Sequence, residues 1–185
     1  MDMKGTGIAP TGIFVRETFG DDGFAHWLDS LSAEARDVYS SPVLAGSWYS
    51  VKQIVSEPVR GMCGLFYSGD LKGSWDCGRF TAEYGLKGIY ELFVQGGSPE
   101  QLIKHGEIVM AAYYRPAPGI HIESTEGSGI LLVTDFPDLD DVMELHVGGW
   151  IERALELSGC KDVKVRIARS LARGDTLTEY QANWK

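Results

Sequence analysis

A chain of 185 residues with 44% hydrophobic side chains lies in the size range of one domain and carries enough apolar surface for a full core. Its net charge of −9 repels a phosphate backbone, so nucleic acid is not an expected partner, and no apolar run approaches the ~20 residues of a membrane span. Met1-Asp-Met-Lys-Gly lacks the charged-then-apolar order of a signal peptide, and three cysteines without CxxC spacing (Cys63, Cys77, Cys160) point to a reducing compartment, so the expected address is the cytoplasm.

Along the chain, residues 1–12 read as a loose lead-in, residues 13–105 as mainly helical and residues 106–185 as sheet plus helix, all in one domain. Thr11 to Phe19 suggests a short strand through Ile13, Phe14 and Val15. Asp21 or Asp22 then caps a helix with Phe24, Trp27, Leu28 and Leu31 at i, i+3, i+4, i+7 spacing. Ser32 caps a shorter turn through Tyr39, which Pro42 ends. A helix from Ser47 carries Val51, Ile54 and Val55 and is broken at Pro58 before resuming to about Tyr67. Leu71 to Val94 reads as one long helix with Trp75, Phe80 and Tyr84 on its apolar side, stopped by Gly96-Gly97. Ser98-Pro99-Glu100-Gln101 is a capping box for a short helix ended by Gly106.

The last third spells out an α+β unit: an N-terminal helical segment followed by an antiparallel sheet with a three-strand meander, a helix and a closing hairpin. The meander strands are Glu107–Tyr114, Ile120–Glu123 and Ile130–Val133. Glu107–Tyr114 is apolar on both faces, as in a strand covered twice. The helix, about Leu139 to Ser158, opens on acidic residues and ends at Gly159, with Met143, Val147, Trp150, Ile151 and Ala154 as its apolar stripe. In the hairpin, alternation sets Ile167 opposite Tyr180, Val165 opposite Ala182 and Val163 opposite Trp184. The basic residues between Lys161 and Arg173 mostly alternate with apolar ones and read as the wet face of a strand. The connecting loop, Ala168 to Leu177, has the length of loops that are functional or mobile.

Motifs for chemistry are sparse. There is no GxSxG elbow, Walker loop, GxGxxG turn or HExxH helix. His121 and Glu123 share a strand face, a pair more often solvated than catalytic. Asp135, Asp138, Asp140 and Asp141 lack the EF-hand spacing and suit a helix N-terminus. Gly148-Gly149 inside a helix is the anomaly, because each glycine costs ~1 kcal/mol relative to alanine there. Two readings stand side by side: close approach of another element, or room for a ligand beside Trp150.

The order of elements, with Ala154-Leu-Glu-Leu-Ser-Gly-Cys160 ending the helix and Thr178-Glu-Tyr-Gln-Ala-Asn-Trp184 closing the chain, resembles one superfamily. It includes 4-vinyl-reductase-type sensor domains, haem-NO-binding (H-NOX) domains and TRAPP core subunits. Gly78-Arg-Phe-Thr-Ala-Glu-Tyr-Gly-Leu-Lys-Gly-Ile-Tyr90 is similar to bacterial, largely myxobacterial, members of the same length. The resemblance implies a ligand pocket and dimerisation. H-NOX domains hold haem propionates with a Tyr-x-Ser-x-Arg motif, whereas the comparable stretch here reads His121-Ile-Glu-Ser-Thr-Glu126. His105 is the only well-placed axial ligand, and the cysteines are not clustered as in zinc-bearing relatives. Neither haem nor zinc, and no other cofactor, is expected.

The resulting expectation is a non-enzymatic domain that binds a small apolar ligand or a protein partner in a sensory or regulatory role. The alternatives are a scaffold module without ligand, a haem-binding sensor or an enzyme. The pocket is expected between a helix wall of Met143, Val147, Gly148, Gly149 and Trp150 and a sheet wall of Met110, Tyr114 and Ile122, with Trp75 and Tyr84 closing it. Gly149→Leu is expected to block that pocket at modest cost to the fold. A homodimer is expected because Phe24, Trp27, Leu28, Trp48, Tyr49, Phe66 and Tyr67 all need cover.

Overall fold

The computed structural model describes residues 1–86 and 106–185, and elements are numbered over those residues. The N-terminal half is helical, as expected, but begins earlier. Strand β1 (Asp2–Lys4) leads directly into α1 (Gly5–Ser30), in place of a loose lead-in and a strand at 11–19. Ile8, Thr11 and Val15, at i, i+3 and i+7, share the buried face of this helix. The surrounding glycines and Pro10 conceal that period from propensity alone. At Gly20 the backbone turns to φ 75°, ψ 179°, which breaks α1 in two and which a side chain would resist. Beyond the break, Phe24 and Trp27 are buried as expected, and the Trp27 indole donates to the Pro58 carbonyl at 3.0 Å.

Ser32 caps α2 (Ala33–Tyr39) by accepting from the Ala35 amide. A helix from Ser47 was expected; instead Trp48–Ser50 forms β2, and a π-helical turn, Val51–Ser56, precedes α3 (Glu57–Phe66). Pro58 sits in the first turn of α3, where its missing N–H is harmless. Helix α4 covers Lys72–Leu86. The continuation to Val94, the capping box at Ser98 and His105 lie outside the described residues.

The segment expected as the first meander strand is mostly helix: α5 spans Gly106–Tyr113, and only Tyr114–Arg115 forms a strand, β3. A run apolar on both faces fits a helix as well as a doubly covered strand, and periodicity does not separate them. Strands β1, β2 and β3 make a small antiparallel sheet in the order β2-β1-β3. The main sheet has four antiparallel strands in the order β4-β5-β7-β6: β4 is Gly119–Thr125, β5 Ser128–Thr134, β6 Lys164–Arg169 and β7 Thr178–Asn183. The closing hairpin keeps its expected register, with Val165 opposite Ala182 and Ile167 opposite Tyr180. Val163 falls just before the ladder.

Helix α6 (Asp141–Leu157) lies over this sheet and against α4. Asp140 caps it by accepting from the Met143 amide at 2.9 Å and Asp141 accepts from the Val142 amide at 3.0 Å, so these two serve the helix start, whereas Asp138 pairs with the Met1 amine and Asp135 with Thr134. Between α4 and α6 the backbones nearly touch. A Cβ at Gly78 would overlap the His146 carbonyl, and one at Gly149 would overlap the Trp75 carbonyl. The two contacts are reciprocal, each three residues apart on its own helix. The Trp75 ring packs on Gly148, and its indole donates to Glu152 at 3.0 Å. Buried Ser74 donates to the Val142 carbonyl, and Arg79 and Arg153 tie Glu152, Glu156 and Glu83 across the outer edge.

The aromatics on which a homodimer was expected find cover inside the fold. Phe24 and Trp27 are buried, while Leu28, Tyr49, Phe66 and Tyr67 pack against the core. Trp48 lies under the Arg115 guanidinium, 4.9 Å from ring centroid to carbon.

Candidate functional site

An apolar cavity of about 130 Å³ opens between α5, α6 and the main sheet. Val109, Met110 and Tyr113 of α5 form one side; Val147, Trp150, Ile151 and Ala154 of α6 form the opposite wall. Ile120 and Ile122 of β4, Ile130 and Leu131 of β5 and Tyr180 of β7 make the floor, and Trp184 and Thr6 border the ends. The sequence explains this arrangement: β4 and β5 carry half-buried apolar residues, and α6 turns its stripe onto the sheet. The volume is close to the ~150 Å³ of engineered apolar cavities that stay dry and admit benzene.

Of the ten residues predicted for the site, Met110, Tyr114, Ile122, Val147 and Trp150 border this cavity. The other five do not. Met143 is fully buried one turn away in the core, and Tyr84 is 50% exposed on α4, beside Phe80. Trp75, Gly148 and Gly149 form the α4–α6 contact, so the glycines make room for a helix and not for a ligand. Gly149→Leu is therefore no selective probe of binding, because its side chain would be driven into the Trp75 backbone.

Among the lining residues that the sequence reading missed are His146 and Thr81, which meet at the α4 side of the cavity. The Thr81 hydroxyl donates to the Gly78 carbonyl at 2.9 Å, so its oxygen accepts from His146 Nε2–H at 3.1 Å. That fixes the tautomer and leaves Nδ1 as an acceptor, buried and without a partner. Burial pushes the His146 pKa down to about 4, so the ring is neutral. His146 follows Met143 by three and precedes Trp150 by four, a spacing that placed it on the buried side of α6.

A ring kept neutral by burial makes the fold sensitive to acid. Unfolded His146 takes up a proton below about 6.5, whereas the folded ring stays neutral to about 4. The unfolded state therefore binds more protons in that window, and stability falls as pH falls through it. The loss from this residue is expected to reach about 2 kcal/mol by pH 5. Urea midpoints at pH 8 and pH 5 measure it, and His146→Gln should flatten the difference; equal slopes for both proteins would exclude a buried neutral ring.

His121 and Glu123 are paired at 3.0 Å but 63% and 67% exposed, a solvated pair on β4. Cys63, Cys77 and Cys160 are buried free thiols, and burial raises the pKa of Cys63 and Cys77. No group of three potential metal ligands occurs among the described residues, and no helix among them is long and apolar enough to cross a membrane.

No protein-family model and no curated protein matches the sequence. Solved structures do match the fold. An H-NOX protein from S. oneidensis in the Fe(II)NO state superposes with a TM-score of 0.78 at 12% identity, covering 99% of each chain. An H-NOX domain from Shewanella oneidensis in the Fe(II)CO state, solved by NMR, gives 0.75 at 13% identity, again covering 99% of each chain. The Fe(II) unliganded H-NOX protein from K. algicida gives 0.72 at 12% identity, covering 99% of this chain and 97% of the other. The described residues have the H-NOX fold.

Haem is the group that fold implies, and the described residues do not fit it. Two propionate charges call for cationic partners, yet no Lys or Arg borders the cavity among the described residues. Tyr-x-Ser-x-Arg occurs nowhere in the sequence. His105, the one residue the sequence offers as an axial ligand, lies outside the described residues.

Proposed function

We propose that this domain binds a small, mostly apolar molecule in the cavity between α5, α6 and the main sheet, and that it acts by binding and not by catalysis. One observation carries the reading: the cavity is walled almost entirely by aliphatic and aromatic side chains, with no charged residue among its described lining. Such a site offers dispersion and water exclusion, and its one imidazole, His146, is bonded to Thr81 with no carboxylate beside it among the described lining. The H-NOX fold agrees with a receptor role, in which occupancy is sensed through α6. That helix touches the ligand space on one face and is clasped to α4 on another.

Gly129 offers a selective probe. It borders the cavity on β5, and a Cβ there would meet only ordinary contacts, the Trp184 ring at 3.4 Å and the Glu123 carbonyl at 3.5 Å. Gly129→Ile suits a strand and projects beside Trp184, filling the cavity. Toluene-saturated buffer is expected to raise the melting temperature of the wild type through mass action and to leave Gly129→Ile unchanged. An equal rise in both proteins, or none in the wild type, would contradict binding at this place. Light scattering measures the oligomeric state, for which the buried aromatics no longer argue.

A further inference from the structure

Strand β6 closes one side of the main sheet, with β7 beside it and no described strand beyond. We infer that this edge docks an acidic, extended segment of a partner protein, which adds to the sheet with its carboxylates against Lys164, Arg166 and Arg169. Val165 and Ile167 share the inner face with buried Ala182 and Tyr180, so Lys164 and Arg166 point outward. Alternation alone would turn Arg169 inward. A register shift between Ile167 and Arg169 instead sets Arg169 opposite Glu179, on the outer face with the other two. All three side chains are exposed. They form a basic line of roughly 17 Å, at ~3.3 Å per residue.

This line lacks counter-charge in a protein rich in it. Acidic residues outnumber basic ones 26 to 17, and Arg60, Lys72, Arg79, Arg115 and Arg153 each hold a carboxylate. On β6, Arg166 donates to the neutral Gln181 amide oxygen and Arg169 to the Thr176 hydroxyl at 3.0 Å. The Lys164 ammonium has no partner among the described residues, and Glu179 accepts from the Gln181 amide. Residues 161–185 carry six Lys and Arg against three Asp and Glu, the reverse of the chain's balance.

An open strand edge offers backbone N–H and C=O groups, and the cations add a charge requirement. Glutamate or aspartate at alternate positions of an added strand would stand beside each cation in turn. Length and charge argue for a short protein segment: a long polyanion would run past the line onto a surface of net negative charge. A second copy fits poorly. Its open edge is β4, whose outward side chains His121, Glu123 and Thr125 include one acid, already paired with His121, and edge-to-edge joining would not close.

The test is an NMR titration of the full chain with a short peptide carrying glutamate at every second position and valine or threonine between. The amides of Lys164 to Arg169 are expected to shift while those of β4 stay in place. Affinity should drop steeply with added salt, as for exposed charges. A peptide of the same composition with its glutamates in one block should bind about tenfold more weakly. Arg166→Glu and Lys164→Glu should each weaken the alternating peptide about tenfold. Both positions are exposed on the outer face, and Lys164 has no side-chain bond to lose, so the fold should hold. Equal binding of the two peptides, no shift on β6, or binding unchanged in both variants would overturn the inference and leave the cations as guards of a bare edge. Tighter binding to heparin than to the peptide, or self-association in ultracentrifugation that Lys164→Glu abolishes, would overturn it in favour of a polyanion or a second copy.

Discussion

Gly149→Leu is expected to remove about 4 kcal/mol of folding stability. The new side chain starts at a Cβ that would overlap the Trp75 carbonyl, a backbone atom held inside α4. Relief requires the two helices to separate, which would open the reciprocal contact at Gly78 and stretch the Ser74–Val142 and Trp75–Glu152 hydrogen bonds. Leucine's better helix propensity returns only ~1 kcal/mol. Overpacking against fixed backbone is among the few single changes that exceed the usual range. Gly64→Ala on α3 supplies the opposite sign: nothing lies within 4 Å of its Cβ, so alanine should stabilise by up to ~1 kcal/mol. Urea unfolding of the two variants checks both, and a Gly149→Leu protein as stable as the wild type would refute the close helix contact.

Glu144→Ala should destabilise by about 3 kcal/mol. This carboxylate is only 3% exposed, yet it is anchored: it accepts from the hydroxyls of Ser170 and Thr178 and from the Ala172 amide at 3.3 Å. It thereby pins the loop between β6 and β7 to α6. Alanine would leave two hydroxyls and an N–H facing an emptied space, each without its acceptor. Glu144→Gln should fall in between, since an amide oxygen still accepts and rotated hydroxyls can take its N–H groups. Hydrogen exchange of the Ala172 and Arg173 amides should speed up in the alanine variant more than exchange in the β4–β5 ladder. Unchanged exchange would show that the loop does not depend on Glu144.

Gly149 and Glu144 also mark how far the sequence could be read. The closing hairpin, α2 with its Ser32 cap and the body of α6 follow from alternation, capping and helical period, and they stand where those rules place them. The first helix was hidden because glycines and Pro10 dilute an otherwise regular buried face. The α5 segment was ambiguous because its apolar residues leave no face to distinguish. The candidate site was half legible: Val147, Trp150, Met110, Tyr114 and Ile122 follow from the apolar faces of α6 and of the segments opposite. Gly148-Gly149 misled as a ligand clearing because a glycine pair signals close approach without saying of what. Glu144, one residue after Met143 and three before Val147, and His146 were overlooked since a polar residue on a buried face is read as solvated until its partner is seen. Those partners, Ser170, Thr178 and Thr81, lie 26, 34 and 65 residues away in the chain.

A dry space between α5, α6 and the main sheet that admits an apolar guest is the premise on which the binding role stands. Crystals pressurised with xenon test it most directly, because xenon enters accessible apolar cavities and binds by dispersion alone. The expected result is a xenon atom among Met110, Ile122, Val147 and Trp150 in the wild type and none there in Gly129→Ile. A cavity filled with ordered water, or wild-type crystals that take up no xenon between these residues, would contradict it.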